Sequence, residues 1–322
     1  MDPMVASVQI SIKVPGTSAN LGPGFDLMGI ALQVYNQFYF TLNSSEKFTA
    51  SFTDGSPLPF SRKDDLVLSS YQKYFSLFLS NEKSIPYHVD MQLELPLKGG
   101  LGSSASAVVA GFVLGRKVHQ LFFPNIVLPS EEDFLFHLAQ IEGHPDNTIP
   151  AYLGNFVFSY SCLEDKRLHR IQKTFPDSIA LFLLLPKLEV ETNTSRRTLP
   201  SSYSRNDVIF NMSRIATWFS FLETGEFSSL CRAVEDKVHS PYRLQNFPIL
   251  QCITKEILAN GACFSLSGSG PTLLIYCEKK NADDFYTKLQ EFTQKIADEV
   301  KIAVEVQKIQ VDTRGTSIEV AP

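Results

Sequence analysis

The sequence predicts an α+β protein built from two domains. The chain has 322 residues, which is enough for two domains with separate hydrophobic cores. Segments that alternate apolar and polar residues, as half-buried strands do, are interleaved with amphipathic segments typical of helices. We see no internal repeat and no low-complexity linker. We expect an N-terminal domain over residues 1–165 and a C-terminal domain over residues 166–322.

Composition narrows the possible partners. Hydrophobic residues make up 44% of the chain and charged residues 20%, which is ordinary for a globular protein. The net charge of −5 argues against a nucleic-acid surface. There is no apolar run of about 18 residues and no basic start followed by an apolar core, so we expect neither a membrane span nor a secretory signal. These features predict a cytoplasmic protein that binds neither nucleic acid nor membranes.

Cysteine usage favours a reducing compartment with buried thiols. The five cysteines lack the spacing of a disulfide framework or a zinc site: Cys162, Cys231, Cys252, Cys263 and Cys277. The six histidines contain no His-x-x-x-His pair.

Periodicity predicts the elements of the first half in order. Alternation indicates strands at residues 8–14 and 87–95 and a pair of strands within residues 34–53, joined by a turn at residues 43–45. Amphipathic segments indicate helices at residues 64–79, 104–121 and 130–141. Ser130 with Asp133 three residues later resembles a capping box, which predicts the start of the third helix.

The second half repeats this mixture. We predict a strand at residues 154–161, a turn or hairpin at 163–173 and a buried strand at 179–185, followed by strands at 273–277 and 303–311. Helices are predicted at residues 204–222, 247–258 and 283–300.

The stretch at residues 96–110 contains the clearest candidate for a ligand site. Gly99, Gly100 and Gly102 precede Ser103 and Ser104, and small apolar residues then continue as a helix would. Glycine lets the backbone approach a ligand closely, and the free N–H groups at a helix start bind anions such as phosphate. A serine here can cap the helix or bind a phosphate-bound magnesium ion. A glycine-rich turn before a buried helix explains the stretch equally well, since neither common nucleotide motif is matched.

Two further polar segments are candidate sites. Residues 17–26 form a glycine-rich loop whose most useful groups are Asn20 and Asp26, although an ordinary loop would look the same. Residues 142–147 lie at a helix end, because Pro145 forces the residue before it out of helical geometry. Glu142 and Asp146 offer oxygen ligands there, and His144 and Asn147 can form hydrogen bonds to a small substrate. A cap and turn is the alternative explanation for this segment.

The C-terminal half adds two loops. Residues 192–200 follow a buried strand and contain Arg196 and Arg197, which are either solvated surface charges or a clamp for a carboxylate. Residues 261–272 form a second loop rich in glycine and serine.

Taken together, the loops resemble the GHMP kinase superfamily, and within it the homoserine kinase family. The sequence carrying this resemblance is Pro-x-x-x-Gly-Leu-Gly-Ser-Ser-Ala at 96–105, Ser-Ala-Asn-Leu-Gly-Pro-Gly-Phe-Asp at 18–26, Glu-Gly-His-Pro-Asp-Asn at 142–147, Pro-Tyr-Arg at 241–243 and Ser-Gly-Ser-Gly-Pro-Thr at 267–272. The resemblance implies an N-terminal domain like ribosomal protein S5, a C-terminal ferredoxin-like domain, a site between them, and a possible homodimer.

The resemblance also implies roles for particular residues. ATP would be bound by Pro96, Lys98, Gly99, Gly100, Leu101, Gly102, Ser103, Ser104, Ala105 and Asp65. Homoserine would be bound by Asn20, Asp26, His144, Asn147, Thr192, Arg196, Arg243 and Gly268. Ser104 and Glu142 would hold Mg²⁺, and the catalytic set would be Asn147, Asp26, Ser104 and Glu142. Asp26 suits the ammonium of homoserine, and the two arginines suit its carboxylate.

Two positions depart from the family pattern or leave it ambiguous. The adenine region, which usually reads Asn-Leu-Val, here reads Asp-Leu-Val from Asp65 onward, and a carboxylate cannot donate as an amide does. Arg196 is assigned over its neighbour Arg197 by spacing alone.

The implied reaction is phosphorylation of the homoserine hydroxyl by ATP. A loose phosphoryl-transfer transition state needs positioning and charge neutralisation more than a base, so we expect late deprotonation, with Asp26 as the fallback base. A kinase for another small hydroxylated metabolite, such as mevalonate or shikimate, is the second hypothesis. A ligand sensor without catalysis is the third.

Overall fold

The computed structural model describes residues 8–42, 47–188 and 192–321, and nothing is said of the side chains of residues 192–194. The turn predicted at residues 43–45 lies outside these ranges. The described chain forms two β-sheets with helices packed against them. No helix in the described ranges is both long and apolar enough to cross a membrane.

The first sheet has seven strands and receives both ends of the chain. They are β1 (Gln9–Ala19), β2 (Met28–Leu42), β3 (Thr49–Phe52), β4 (Tyr87–Leu93), β5 (Phe156–Cys162), β6 (Arg167–Lys173) and β11 (Ser317–Ala321). The order is β11-β1-β2-β4-β3, and β5 pairs with both β2 and β6. All pairs are antiparallel except β3 with β4.

Four helices belong to this half: α1 (Leu66–Phe78), α2 (Ser103–Phe122), α3 (Glu131–Glu142) and α4 (Pro145–Leu153). Apolar side chains from the strands and helices form one buried core, exemplified by Phe38 and Phe40 of β2 and Phe112 of α2. Alternate residues of β1 enter this core, as the alternation in the sequence predicts. The core fixes the N-terminal ends of α2 and α4, where the site lies.

The second sheet has four antiparallel strands in the order β10-β7-β9-β8: β7 (Ile179–Pro186), β8 (Cys263–Leu266), β9 (Leu273–Glu278) and β10 (Val304–Ile309). Six helices accompany it: α5 (Thr192–Arg197), α6 (Arg205–Thr224), α7 (Phe227–Ala233), α8 (Ser240–Leu244), α9 (Pro248–Ala259) and α10 (Ala282–Val300).

A shared core joins the two halves. Trp218 of α6 stacks on Phe156 of β5, with ring centroids 5.5 Å apart, and both side chains are fully buried. The Trp218 indole N–H donates to the carbonyl of Leu21 at 3.0 Å. These contacts hold the loop after β1 against the C-terminal half, so groups from both halves meet in one site.

The expected α+β architecture is confirmed, and several details differ. The prediction that the strands within residues 34–53 pair with each other is wrong, because β4 lies between β2 and β3 and pairs with both. The predicted hairpin at residues 163–173 exists, but its second strand, β6, belongs to the first sheet, and β11 returns there from the far end. The sheets therefore divide near residue 174, and the boundary at residue 165 stays a prediction. The segments around residues 145 and 192 were expected to be non-helical; they form α4 and α5.

The expectation that all cysteines are free thiols is wrong for one pair. Cys231 of α7 and Cys263 of β8 form a disulfide, with Cα atoms 5.3 Å apart. The sequence separation of 32 residues gave no sign of it, because α7 and β8 become neighbours only when α7 packs on the second sheet. Cys162, Cys252 and Cys277 are free.

Candidate active site

The loop after β1 is held in an unusual backbone conformation. Asn20 and Asp26 have φ angles of 71° and 60°, a region that residues other than glycine seldom adopt. The Asn20 side chain stabilises the loop twice. Its oxygen accepts the N–H of Asp26 at 3.1 Å, and its amide donates to the carbonyl of Gly268 at 2.9 Å. The loop thus aims Asp26 into a cleft and binds the second glycine-rich loop.

The glycine-rich loops at residues 99–104 and 261–272 touch each other at the edge of this cleft. Ser267 donates from its hydroxyl to the carbonyl of Gly100 at 2.7 Å. A Cβ on Gly100, whose φ is 82°, would lie 2.5 Å from the carbonyl oxygen of Ser267. Gly102, with a φ of 70°, precedes the first turn of α2 and leaves that helix start open toward the cleft. This is the geometry of an anion site at a helix N-terminus.

Two oxygen groups meet beside that helix start. Ser104 donates from its hydroxyl to a carboxylate oxygen of Glu142, the last residue of α3, at 2.9 Å. Burial raises the pKa of Glu142, and the nearby charge of His144 and the hydrogen bond from Ser104 oppose that rise. A hydroxyl and a carboxylate are hard oxygen donors, so this pair fits Mg²⁺.

The start of α4 contributes a hydrogen-bonded cluster. His144 Nδ1 lies 2.7 Å from a carboxylate oxygen of the buried Asp146, and Asn147 donates to the same oxygen at 3.4 Å. Thr17 donates from its hydroxyl to the Asn147 side-chain oxygen at 2.8 Å. Burial lowers the pKa of His144, but the bond to Asp146 and the nearby carboxylates outweigh this and raise it. One ligand atom each from Asp26, His144 and Asp146 lies within 4.8 Å of the others, a second group that could hold a metal ion.

An acid and two arginines form the other wall. Arg196 donates through two nitrogens to the two carboxylate oxygens of Asp26, at 2.6 and 2.9 Å. Arg243 donates to the carbonyl of Gly268 at 2.8 Å. Both guanidinium carbons lie 5.2 Å from the centre of the Phe25 ring. Burial, and then the charge of Arg196, lower the pKa of Arg243 to about 10, whereas the hydrogen bond to Asp26 raises that of Arg196.

These groups line one cavity of about 310 Å³. Its lining includes Asn20, Asp26, Pro96, Lys98, Gly99, Gly100, Gly102, Ser103, Ser104, Ala105, Glu142, His144, Asn147, Arg196, Arg243 and Gly268, all of them expected from the sequence.

Two of the residues expected in the site are placed differently, and the side chain of a third is not described. The Leu101 side chain is buried although its neighbours in the glycine-rich loop at residues 99–104 line the cavity. The Leu101 carbonyl accepts the N–H of Thr17 at 3.0 Å. Asp65 does not line the cavity; its carboxylate accepts the N–H of Leu68 at 3.0 Å and caps α1, so its adenine contact stays a prediction. The side chain of Thr192 is outside the described part of the chain.

Three further residues contribute to the site, although the family resemblance gives none of them an individual role. The Phe25 ring lies next to both arginines, and Asp146 and Ser269 line the cavity. Asp146 is predicted from its motif as an oxygen ligand, and its carboxylate lies in the cavity wall. Phe25 and Ser269 gave no such signal, because an aromatic or a serine in a loop has many explanations.

Comparison with known proteins places this site in a family. Residues 66–155 match the family described as GHMP kinases N terminal domain. Homoserine kinase of Trichormus variabilis is 33% identical over 313 residues, covering 96% of this chain and 98% of its own. Homoserine kinase of Clostridium novyi is 30% identical over 292 residues, covering 90% of this chain and 93% of its own. The chain belongs to the homoserine kinase family.

Solved structures support the same fold. The crystal structure of homoserine kinase from Cytophaga hutchinsonii superposes with a TM-score of 0.80 at 24% identity, covering 99% of both chains. Mevalonate diphosphate decarboxylase from Enterococcus faecalis superposes with a TM-score of 0.65 at 15% identity, covering 98% of this chain and 99% of its own. Homoserine kinases are phosphotransferases, so this member of the family is an enzyme of the GHMP kinase fold.

Proposed function

We propose that the chain transfers the γ-phosphoryl group of ATP to the side-chain hydroxyl of L-homoserine, giving ADP and O-phospho-L-homoserine, a step of threonine biosynthesis. One observation carries this proposal. An acid and two arginines share a single cavity with a glycine-rich helix start. Family membership at 33% identity over almost the whole chain supports it.

The ion pair between Asp26 and Arg196 favours a zwitterionic substrate. When homoserine enters, its ammonium can replace Arg196 as the partner of Asp26. Its carboxylate can then bind Arg196 and Arg243, so every charge keeps a partner. An anion such as mevalonate or shikimate would draw Arg196 away and leave Asp26 without a cation. The cavity therefore favours homoserine over these alternatives.

The other wall of the cavity suits ATP and magnesium. Backbone N–H groups of residues 100–104 would bind the phosphates, and the glycines there leave no Cβ in the way. Ser104 and Glu142 would hold Mg²⁺, which neutralises charge on the phosphoryl group during transfer.

Positioning of the hydroxyl falls to the start of α4. Asn147 is fixed by Thr17 on one side and Asp146 on the other, so its amide is pre-oriented toward the cavity. Both oxygens of Asp26 are engaged by Arg196 in the empty site, and the substrate ammonium would take the place of Arg196 on binding, so Asp26 stays paired with a cation and is disfavoured as a base. We infer that the hydroxyl proton leaves late, to phosphate or water. The proposal also includes a cytoplasmic location and a homodimer.

A coupled ADP-release assay tests the substrate assignment. The panel contains homoserine, threonine, serine, mevalonate and shikimate, each with ATP and Mg²⁺. We expect the highest kcat/KM for homoserine. A higher value for mevalonate or shikimate would move the assignment to another acceptor. No ADP release with any of the five would support a binding protein without catalysis.

A further inference from the structure

A buried histidine lies behind the substrate wall. His239 immediately precedes α8, four residues before Arg243, and is fully buried. Its ring Nδ1 lies 3.3 Å from the terminal nitrogen NH1 of Arg243, and its Nε2 lies 2.8 Å from the carbonyl oxygen of Gly22. We propose that His239 is a positioning residue that orients Arg243 for the carboxylate of the substrate. This inference rests on the proposed function, because it assumes that Arg243 binds that carboxylate.

The surroundings of the ring determine where its proton sits. Nε2 faces the Gly22 carbonyl at 2.8 Å and a carboxylate oxygen of Asp236 at 3.3 Å, which can only accept, and the more distant Ser240 hydroxyl at 3.5 Å, which can accept as well as donate. Nε2 must therefore carry the hydrogen. Nδ1 faces a guanidinium nitrogen, which can only donate. The imidazole is thus neutral with a lone pair on Nδ1, and Arg243 donates to it. Burial lowers the pKa of His239, consistent with a neutral ring.

Asp236 fixes the segment that carries this histidine. Its buried carboxylate accepts the backbone N–H groups of Val238, His239 and Ser240 at 2.6–3.0 Å and the side-chain amide of Asn211 at 2.8 Å. These bonds leave the backbone of residues 238–240 little freedom. The position of the imidazole is consequently set by the fold rather than by the substrate.

The consequence for Arg243 is a fixed orientation. Its NH1 atom donates both to His239 Nδ1 and to the Gly268 carbonyl at 2.8 Å. Its Nε atom is buried and has no hydrogen-bond partner within the described part of the chain. Both contacts are made by one nitrogen, and Arg243 lines the cavity, so the guanidinium is held in a fixed orientation beside the ligand site. Pre-orienting a donor lowers the entropic cost of binding a ligand.

Two variants separate this role from general packing. In His239→Asn the side-chain oxygen stays near the position of Nδ1, so the acceptor for Arg243 is kept while the contact with Gly22 is lost. In His239→Gln the amide reaches toward Gly22 and the acceptor for Arg243 is lost. We expect His239→Gln to raise the KM for homoserine about tenfold or more, with kcat and the KM for ATP little changed. We expect His239→Asn to remain close to the unaltered enzyme.

A substrate without the carboxylate provides the decisive comparison. 3-Aminopropan-1-ol keeps the ammonium and the hydroxyl of homoserine and lacks only the carboxylate. Loss of Arg243 orientation should lower kcat/KM for homoserine and leave that for 3-aminopropan-1-ol unchanged, so the preference for homoserine falls about tenfold in His239→Gln. Equal losses for both substrates would overturn the proposal, because they would indicate general damage to the site. An unchanged preference would overturn it as well.

His119 supplies a matched control. It is also fully buried. Its Nδ1 lies 3.0 Å from the Tyr74 hydroxyl and its Nε2 lies 3.2 Å from the Ile126 carbonyl oxygen, but it is part of α2, in the half of the protein that contains the first sheet. His119→Gln should leave the substrate preference intact. If His239→Gln does not fold, His239→Asn decides alone: a retained preference supports the positioning role and a collapsed one overturns it. Failure of the unaltered enzyme to phosphorylate homoserine would instead reject the proposed function itself.

Discussion

The role of Asp26 in substrate binding can be separated from a role as catalytic base. Its carboxylate is paired with Arg196 and lies where the substrate ammonium would bind. We expect Asp26→Asn to raise the KM for homoserine about tenfold to a hundredfold, the effect of losing a hydrogen bond to a charged group. The value of kcat should stay within about twofold. A collapse of kcat at saturating homoserine would restore Asp26 as the base.

The position of Glu142 leads to a prediction about how the reaction rate depends on Mg²⁺. Its carboxylate lies beside the Ser104 hydroxyl and carries the only negative charge of that pair. Glu142→Gln keeps the shape and removes the charge, so the Mg²⁺ concentration for half-maximal rate should rise at least about tenfold. Measuring the rate against Mg²⁺ at fixed ATP tests this.

The control for this experiment lies on the same helix. Glu131, in the first turn of α3, pairs with Arg116 away from the cavity. Glu131→Gln should show the unaltered Mg²⁺ dependence. If both variants behave alike, the metal is not held by Glu142, and the group formed by Asp26, His144 and Asp146 becomes the candidate.

At the scale of elements, the glycine-rich loop at residues 99–104 depends on contact with the glycine-rich loop at residues 261–272. Gly100 has a φ of 82°, and a Cβ there would lie 2.5 Å from the Ser267 oxygen and 3.0 Å from that of Gly270. Gly100→Ala should therefore push the loops apart. We expect it to lower the free energy of unfolding by about 1–3 kcal/mol and to raise the KM for ATP. Urea unfolding and steady-state kinetics measure the two effects.

Gly261 separates backbone strain from the loss of contact. Its φ is 72°, but a Cβ there would meet nothing within 4 Å. Gly261→Ala should cost about 1–2 kcal/mol in stability, the penalty of the left-handed conformation, and leave the KM for ATP unchanged. An equal rise in KM in both variants would show that the contact between the loops does not matter for ATP.

The elements also show which features a sequence can reveal. Long periodic segments such as α2 and α10 were predicted within two residues, because their apolar faces are local properties of the sequence. The cap of α3 at Ser130 is confirmed, with its hydroxyl accepting the N–H of Asp133 at 3.1 Å. Short elements were missed: α4 begins at Pro145, and β11 forms only where it pairs with β1. Their stability comes from tertiary contacts, which periodicity does not record.

Across the whole molecule, the candidate site residues were easier to predict than the contacts between them. The motifs and the family resemblance picked out residues that mostly line one cavity, but they did not show how these residues pair. The bond between Asp26 and Arg196 joins residues 170 positions apart, and the contact of Asn20 with Gly268 spans 248. Such pairings, like the disulfide between Cys231 and Cys263, follow from how two sheets pack and have no local signal.

The buried histidines affect how the stability of the whole fold depends on pH. Burial lowers the pKa of His119, His137 and His239 in the folded protein, whereas the unfolded chain titrates near about 6.5. Below that pH the unfolded state binds more protons, so stability is lost as pH falls toward the folded values. His144, whose pKa is raised, acts in the opposite direction.

We therefore expect the melting temperature to fall between about pH 7.5 and about pH 5.5. Three histidines with lowered pKa values outnumber His144 and Glu142, whose raised pKa values favour the folded state on acidification. His119→Gln removes one of the three groups and should reduce this dependence, even if it lowers stability at neutral pH. A melting temperature that rises on acidification would contradict the prediction and would mean that His144 and Glu142 dominate. Since His239 also faces Arg243, its protonation would replace the lone pair that accepts from Arg243 with a donor. The same event that lowers stability would then disturb the orientation of the substrate site.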